Sequence, residues 1–342
     1  MGFRIAPALL SAALLAGCST GEPAPAGGMQ NLPAVVERQG MSSAATTHPS
    51  VYWTLFASCS YPQIQWAAVP LKSSSKAKSL FCSSQNGVAY SSGLHVDSSG
   101  RLWVLIAGKG SFDPGSAAVF KLPLKAASTP QYTFILKGTN DPDHLTFDAA
   151  GNLWVSSHQH GVTKYKGPFD KSGTRSPVLT LTSGITQPAG IALDTHGNVY
   201  VSNFAGGIGN SIAVFTAPVS KTPSYYLKGL TMPGGLIFDK HGNLYASENG
   251  PSQYGIARYN SNDLKGGSTP SIFDSTDLSG SYESDFALSP TGDLYFANCG
   301  NAASIYVYPT SKKSFSSSLA PSVDYTNSDL QQDGCAWGIA IK

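Results

Sequence analysis

The sequence predicts an all-β fold, a six-bladed β-propeller built from four-stranded antiparallel blades. Three observations support this prediction: a repeated segment, a repeat spacing that fits six units, and two chain ends that complement each other. The repeated segment holds two short apolar runs joined by a turn, and it occurs at residues 94–104, 145–157, 191–203, 236–248 and 286–298. Because such a unit cannot bury its own faces, neighbouring units must stack to make a core.

Each copy of the repeat predicts a β-hairpin whose turn closes on glycine. The turn glycines are Gly100, Gly151, Gly197, Gly242 and Gly292. A side chain that accepts backbone hydrogen bonds precedes each turn, at Asp97, Asp148, Asp194, Asp239 and Ser289. A large aromatic residue follows each turn, at Trp103, Trp154, Tyr200, Tyr245 and Tyr295. We expect the aspartates to hold the turns and the aromatic rings to pack between adjacent sheets.

The repeat spacing and the chain ends predict a closed ring of six blades. Two further strand-like runs follow each hairpin, which gives the four strands of a propeller blade. The turn glycines lie 45 to 51 residues apart, so residues 50–342 hold about six units. Residues 337–342 match a first strand without a second, whereas residues 51–57 match a second strand without a first. We therefore expect a sixth, composite blade that pairs the two ends and removes open sheet edges.

The repeat pattern G-x-x-x-D-x-x-G-N-[LV]-[YW]-V resembles NHL-repeat propellers and the related SMP-30/gluconolactonase-like group. WD40 and kelch repeats fit less well. The resemblance covers residues 51–342 and implies a six-bladed propeller. It also implies a site on one rim, where lactonases hold a divalent ion with Glu, Asn and Asp, and amidating lyases hold zinc with His. This chain departs from both groups, since it lacks the lactonase E-G-P-x-W motif and its histidines concentrate in one repeat.

The N-terminal residues predict export and lipidation. Residues 1–17 have a basic start and a short apolar stretch, as a signal peptide does. The segment ends in L-A-G-C, which resembles the lipobox of bacterial lipoproteins, so Cys18 is the expected acylated residue; an ordinary secreted protein is the alternative. Residues 18–49 predict a flexible linker, and residues 50–342 the propeller. Ser19 after the cysteine favours the outer membrane of a Gram-negative cell envelope.

Charge and cysteine content fit an exported protein. The chain has 22 Lys and Arg against 20 Asp and Glu, without basic clusters, which disfavours nucleic acid as a partner. Four cysteines remain after Cys18, and an even number in an oxidising compartment predicts two disulfides. Of the three pairings we favour Cys59–Cys82 with Cys299–Cys335.

Candidate functional residues are found where strand entries and exits depart from the repeat. In this type of propeller, the start of each first strand and the end of each second strand open on one face, here called the rim. Most entries are glycine and most exits are Ser or Asn. The rim candidates for ligand binding are Asp143, His144, His158, His160, Asn203, Glu248, Glu283, Asp285 and Asn298.

These residue types would suit cation binding or general-base chemistry. The metal candidates are His144, His158, His160 and Glu248, with calcium or zinc as the divalent ion. The same residues also fit ordinary roles as solvated loop or turn side chains. His196 and His241 are expected at the opposite end of the ring, and no nucleophile motif is present. The sequence favours an envelope lipoprotein that binds a protein partner or small ligand at the rim; the alternative is a metal-dependent hydrolase or lyase.

Overall fold

The chain folds into antiparallel sheets in the order that the repeats predict. A computed structural model describes residues 49–55, 62–81, 90–107, 114–204, 209–250, 253–274, 284–299, 303–311, 319–333 and 335–342. The first strands are β1 (Ser50–Leu55), β2 (Pro62–Ala68) and β3 (Lys78–Phe81). They are followed by β4 (Tyr90–Val96), β5 (Arg101–Ala107), β6 (Gly115–Lys121) and β7 (Tyr132–Leu136), which contain the first repeat.

The remaining strands follow in the order of the sequence repeats. The second repeat gives β8 (Pro142–Phe147), β9 (Leu153–Ser157), β10 (Gly161–Tyr165), β11 (Gly173–Arg175) and β12 (Leu179–Leu181). The third gives β13 (Pro188–Leu193), β14 (Val199–Asn203), β15 (Ser211–Phe215) and β16 (Tyr225–Leu227). The fourth gives β17 (Pro233–Phe238), β18 (Leu244–Gly250), β19 (Gln253–Tyr259), a 3₁₀ turn (Ser261–Asp263) and β20 (Ser271–Asp274). The fifth gives β21 (Asp285–Leu288), β22 (Leu294–Asn298), β23 (Ser304–Tyr308) and β24 (Val323–Tyr325), before helix α1 (Ser328–Asp333) and β25 (Ala336–Ile341).

The six sheets form a closed ring, as the sequence predicts. Blades one to five carry the five repeats, and blade six has the strand order β25-β1-β2-β3. In blade six, Val51 pairs with Ile341 and Trp53 with Ile339. The innermost strands contact one another in the cycle β25, β4, β8, β13, β17, β21 and back to β25. The two ends of the propeller segment therefore complete one blade and leave no gap in the ring.

Blade one differs from the prediction of four strands because it has five. Strand β11, from the connection between β10 and β12, runs parallel to β7 and extends the outer edge of blade one. Its Arg175 guanidinium lies 5.0 Å from the Phe134 ring centroid and 5.5 Å from that of Phe169. This contact with aromatic rings, together with the strand pairing, attaches the connection to the neighbouring blade.

The hairpin turns are held as the repeat predicts. In the second repeat, Asp148 Oδ1 accepts hydrogen bonds from the backbone N–H groups of Ala150 and Asn152. Gly151 has φ +75°, a left-handed conformation that glycine adopts without steric cost. Asp148 Oδ2 also accepts the indole N–H of Trp154 at 3.2 Å, so the turn and the buried ring are fixed together. The sequence did not predict this hydrogen bond between the turn aspartate and the aromatic residue.

The core lies between adjacent sheets, where the repeat aromatics are buried. Trp103, for example, is fully buried and stacks on Phe134 with centroids 5.4 Å apart. The predicted Cys299–Cys335 disulfide is present and joins the end of β22 to the start of β25. Cys18 and the predicted Cys59–Cys82 pair lie outside the described residues. Within the described ranges, no helix is long and apolar enough to cross a membrane.

Candidate functional site

The rim is shaped by an irregularity at the entry of the innermost strands. Strands β4, β8, β13 and β17 each shift register against their partner just before the first large apolar residue. The equivalent ring positions in the six blades are Gly93, His144, Gly190, Gly235, Asp285 and Gly338. A Cβ at Gly93 would collide with the backbone of Asp143, and one at Gly338 with the backbone of Ser92. Close packing of neighbouring blades therefore requires glycine at these positions.

Hydroxyl groups join the blades at this level. Ser156 Oγ accepts the backbone N–H of His144 at 3.1 Å and donates to the carbonyl of Ala189 in the next blade. Thr54 Oγ1 accepts the N–H of Gly338 at 2.8 Å and donates to the carbonyl of Ser92 at 2.9 Å. Each hydroxyl satisfies one backbone group of its own blade and one of its neighbour. These hydrogen bonds supply partners to buried backbone groups and join neighbouring blades.

The two ring positions that are not glycine meet across the centre of the ring. His144 Nε2 lies 3.3 Å from Asp285 Oδ1, and both side chains are less than a tenth exposed. His144 belongs to blade two and Asp285 to blade five, which stand opposite each other in the ring. Asp285 is fixed by two backbone donors, the N–H of Phe286 at 2.8 Å and that of Ile339 at 3.2 Å. This imidazole–carboxylate pair links blades two and five at the centre of the ring.

A second imidazole–carboxylate pair lies next to the first. Asp143 Oδ2 is 3.0 Å from His158 Nε2, and Asp143 Oδ1 accepts the indole N–H of Trp337 at 3.0 Å. The Nδ1 atom of His144 is 3.9 Å from the same carboxylate. Trp337 comes from the last strand, in blade six, so the cluster draws residues from three blades. We call Asp143, His144, His158, Asp285 and Trp337 the mouth cluster.

The surroundings of the mouth cluster shift the pKa values of Asp143 and of the neighbouring Asp141. Burial alone would raise the pKa of Asp143, but the charge and hydrogen bond of His158, with smaller help from His144 and Trp337, hold it below its usual value. Desolvation of its carboxyl group by neighbouring atoms raises the pKa of Asp141; the charge of His158 lowers this pKa, and the charge of Asp143 raises it by less. Asp143 is therefore ionised at neutral pH.

Two rim candidates, Asn203 and Glu248, bind the chain just before the first strand of their own blade. Asn203 Oδ1 accepts the backbone N–H of Thr186 at 2.9 Å, and Glu248 Oε1 accepts that of Thr231 at 2.7 Å. The two side chains occupy the same position in successive blades, and both are almost completely buried. Glu248 thus does in blade four what Asn203 does in blade three. These contacts give each of the two side chains a structural role as the cap of a backbone N–H group.

The remaining candidates are placed as follows. Asn298 is fully buried at the end of β22, and His160 is half-buried in the turn after β9. Glu283 lies outside the described residues. His196, with a side chain that is 83% exposed, is in the turn at the opposite end of the ring, as expected, and so is His241. The structure therefore brings three of the nine rim candidates, Asp143, His144 and Asp285, to the centre and places His158 against Asp143.

The predicted metal ligands do not form a ligand set. Among the residues that the structure describes, no group of three or more His, Cys, Asp and Glu is arranged to hold a metal ion. The imidazoles of His144 and His158 contact carboxylates of the protein, and Glu248 caps a backbone N–H. The arrangement is suited to binding polar groups and to holding protons on paired acids and imidazoles.

Sequence reasoning missed three residues of the mouth. Trp337 precedes the ring glycine Gly338, where the other blades have small or acidic residues, so its size was the available signal. Phe204 follows Asn203, and its ring lies parallel to that of His158 at 6.1 Å. Asp141 lies two residues before Asp143 and was not among the predicted site residues. Trp337 reaches the cluster only because the ring closes.

Comparisons with solved structures agree with the propeller architecture. No family model matches the sequence, and no curated protein matches it significantly. A chain of the nidogen/laminin complex is 15% identical with a TM-score of 0.61, over 86% of this chain and 98% of that chain. A Bacteroides uniformis protein whose assignment as a 6-phosphogluconolactonase is inferred is 13% identical with a TM-score of 0.56, over 81% of this chain and 82% of its own. A functionally unknown protein from Desulfotomaculum acetoxidans is 17% identical with a TM-score of 0.53, over 88% and 87%. At these identities the similarity is one of fold, and the chain is a six-bladed β-propeller that resembles these structures.

Proposed function

We propose that this chain is an envelope-anchored lipoprotein whose propeller binds a protein partner or a small ligand at the rim. The observation that carries the proposal is the mouth cluster, in which titratable side chains from blades two and five and the indole of Trp337 from blade six converge on one end of the ring. Burying charged groups costs free energy. A ring with a purely structural role could avoid this cost by using glycine at all six ring positions, as this chain does at four of them. Convergent polar groups in a concavity are typical of binding sites.

The fold by itself does not choose between binding and catalysis. It is similar to a chain from a protein–protein complex and to an inferred lactonase, and one architecture supports many functions. The alternative, a metal-dependent hydrolase or lyase, needs several converging ligands. The described residues offer paired imidazoles and carboxylates instead of such a set, which supports the binding proposal.

The lipid anchor at Cys18 gives this function its location. The signal segment and the L-A-G-C sequence support acylation of Cys18, with residues 19–49 as a tether between membrane and propeller. With Ser19 after the cysteine, we propose the outer membrane if the cell is Gram-negative. A tethered ring can present its rim to partners at the membrane or in the surrounding compartment.

Site-specific crosslinking in bacterial cells tests both parts of the proposal. A photoreactive amino acid replaces Gln159, which is exposed beside His158, and in the matched control it replaces His196 at the opposite end. We expect a saturable crosslinked species from position 159 and none from position 196. In the same cells, Cys18→Ala should release the protein from the membrane fraction. Equal crosslinking from both ends, or an unchanged membrane fraction in Cys18→Ala, would count against the proposal.

A further inference from the structure

The mouth has three described carboxylates against two imidazoles, and none of these carboxylates forms an ion pair with a described lysine or arginine. Within the described part of the chain, Asp143 and Asp285 form ion pairs only with the imidazoles of His158 and His144. Asp141 adds a third carboxylate at the same entry. The described ion pairs that involve lysine or arginine, Arg101–Asp97 and Lys164–Asp148, belong to hairpin turns at the other end of the ring. A positively charged ligand group would therefore be drawn to the mouth.

Buried atoms beside the mouth cluster also lack hydrogen-bond donors. Asn249, at the end of β18, is 3% exposed, and its Oδ1 has no hydrogen-bond partner. Ser284, next to Asp285, is fully buried, and its hydroxyl has none either. A short chain of contacts connects the two residues: Asn249 Nδ2 is 3.3 Å from Ser247 Oγ, which donates to the Ser284 carbonyl at 3.2 Å. Buried polar atoms are rarely left unpaired, so these two indicate a missing polar group, and Asn249 Oδ1 requires a donor.

Aromatic rings border the same opening. His158 stacks on Phe204, and the half-buried Trp337 donates its N–H to Asp143. A flat, weakly hydrated cation gains from contact with ring faces as well as from carboxylates. The mouth thus combines acceptors, negative charge and aromatic surface.

We propose that the mouth binds an organic cation, namely the ammonium or guanidinium group of a small molecule or of a partner's basic side chain. This inference rests on the proposed binding function of the rim and adds the chemical class of the ligand. The cationic group would lie against the exposed carboxylate of Asp141, and the buried carboxylates of Asp143 and Asp285 would attract it through their charge. Its N–H donors would supply the polar partners that the buried acceptors beside the cluster lack.

Calorimetric titration of the full acylated chain in detergent tests the inference. The probes are n-butylguanidinium and its neutral analogue of nearly the same shape, n-butylurea. We expect saturable binding of the cation and at least about tenfold weaker binding of the urea, since a hydrogen bond to a charged group contributes that much. Asp143→Asn and Asp285→Asn should each weaken cation binding to a similar extent, whereas Asp170→Asn, exposed and outside the cluster, should not change it.

Further arms separate folding from binding and identify the source of the cation. Asp141→Asn changes an exposed side chain, so it tests the charge effect if the buried variants unfold early. Displacement of the species crosslinked at position 159 by n-butylguanidinium assigns the cation to a partner's side chain; binding without displacement assigns it to a free small molecule. Equal binding of both probes, binding unaffected by all three variants, or calcium or zinc chloride binding stoichiometrically in place of the guanidinium overturns the inference. If the cation inference fails but crosslinking at position 159 persists, the proposed binding function of the rim still stands. If that crosslinking is also absent, both proposals are contradicted.

Discussion

Aspartate has two different roles at the two ends of the ring. In the hairpin turns, Asp148 is held by donors from its own repeat, including Asn152 Nδ2 at 2.9 Å and the Lys164 ammonium group at 2.9 Å. At the rim, Asp143 and Asp285 are held by donors from distant parts of the sequence, Trp337 and Ile339. The turn aspartates thus stabilise a local structure, whereas the rim aspartates depend on the assembled ring.

The turn role predicts an acid-dependent loss of stability at Asp148. Burial alone would raise its pKa, but hydrogen bonds from Asn152, Lys164 and Trp154 lower the pKa of Asp148 from 3.8 to about 2. A pKa below the unfolded value means that the stabilisation is complete above pH 4 and is lost as the pH falls towards 2. We expect Asp148→Asn to be less stable at pH 7 and to lose less stability over this range. Denaturant unfolding at a series of pH values measures this. An unchanged pH slope in Asp148→Asn, with Asp170→Asn as control, would contradict the assignment.

At the scale of the element, the ends of the strands carry the contacts that join one blade to the next. Ser92 Oγ donates to the Pro142 carbonyl at 2.6 Å, between blades one and two, and Ser247 Oγ donates to the Ser284 carbonyl between blades four and five. Ser156 makes the corresponding link between blades two and three. The strands therefore contribute to the ring through side chains at their rim ends as well as through the core between sheets.

Ser156→Ala tests one of these links. The substitution removes the acceptor of the His144 N–H and the donor to the Ala189 carbonyl, both in buried positions. We expect the free energy of unfolding to fall by about 1–3 kcal/mol, because two backbone groups lose their partner away from water. Ser220→Ala, at an exposed hydroxyl in a surface turn, is the control and should change little. A loss in Ser156→Ala no larger than in the control would show that the link does not hold the blades.

The local parts of this structure could be predicted from the sequence, and the parts that depend on closure could not. The hairpin around Gly151 follows from an aspartate, a glycine and an aromatic residue at fixed spacing, and the paired ends at Val51 and Ile341 follow from matching half-repeats. Glu248 looked like a functional departure, yet it replaces asparagine as a backbone cap. Strand β11 and the position of Trp337 depend on which surfaces meet in space, which no local pattern encodes.

For the whole molecule, closure of the ring creates the mouth. Residues that are far apart in sequence, His144 and Asp285, become neighbours because blades two and five face each other across the ring. Trp337 reaches Asp143 because the last strand completes the sixth blade. Fold and candidate site therefore depend on the same event, and a chain that failed to close would lose both.

The contact between His144 and Asp285 is the most direct test of this account. In a chain labelled with ¹⁵N-histidine, the imidazole signals of His144, assigned by the loss of signals in His144→Gln, report on the partner of its Nε2. We predict that Asp285→Asn shifts these signals, although the two residues lie in opposite blades, and leaves those of His196 and His241 unchanged. Unaltered His144 signals in a folded Asp285→Asn protein would contradict the contact between His144 and Asp285 and, with it, the closed ring.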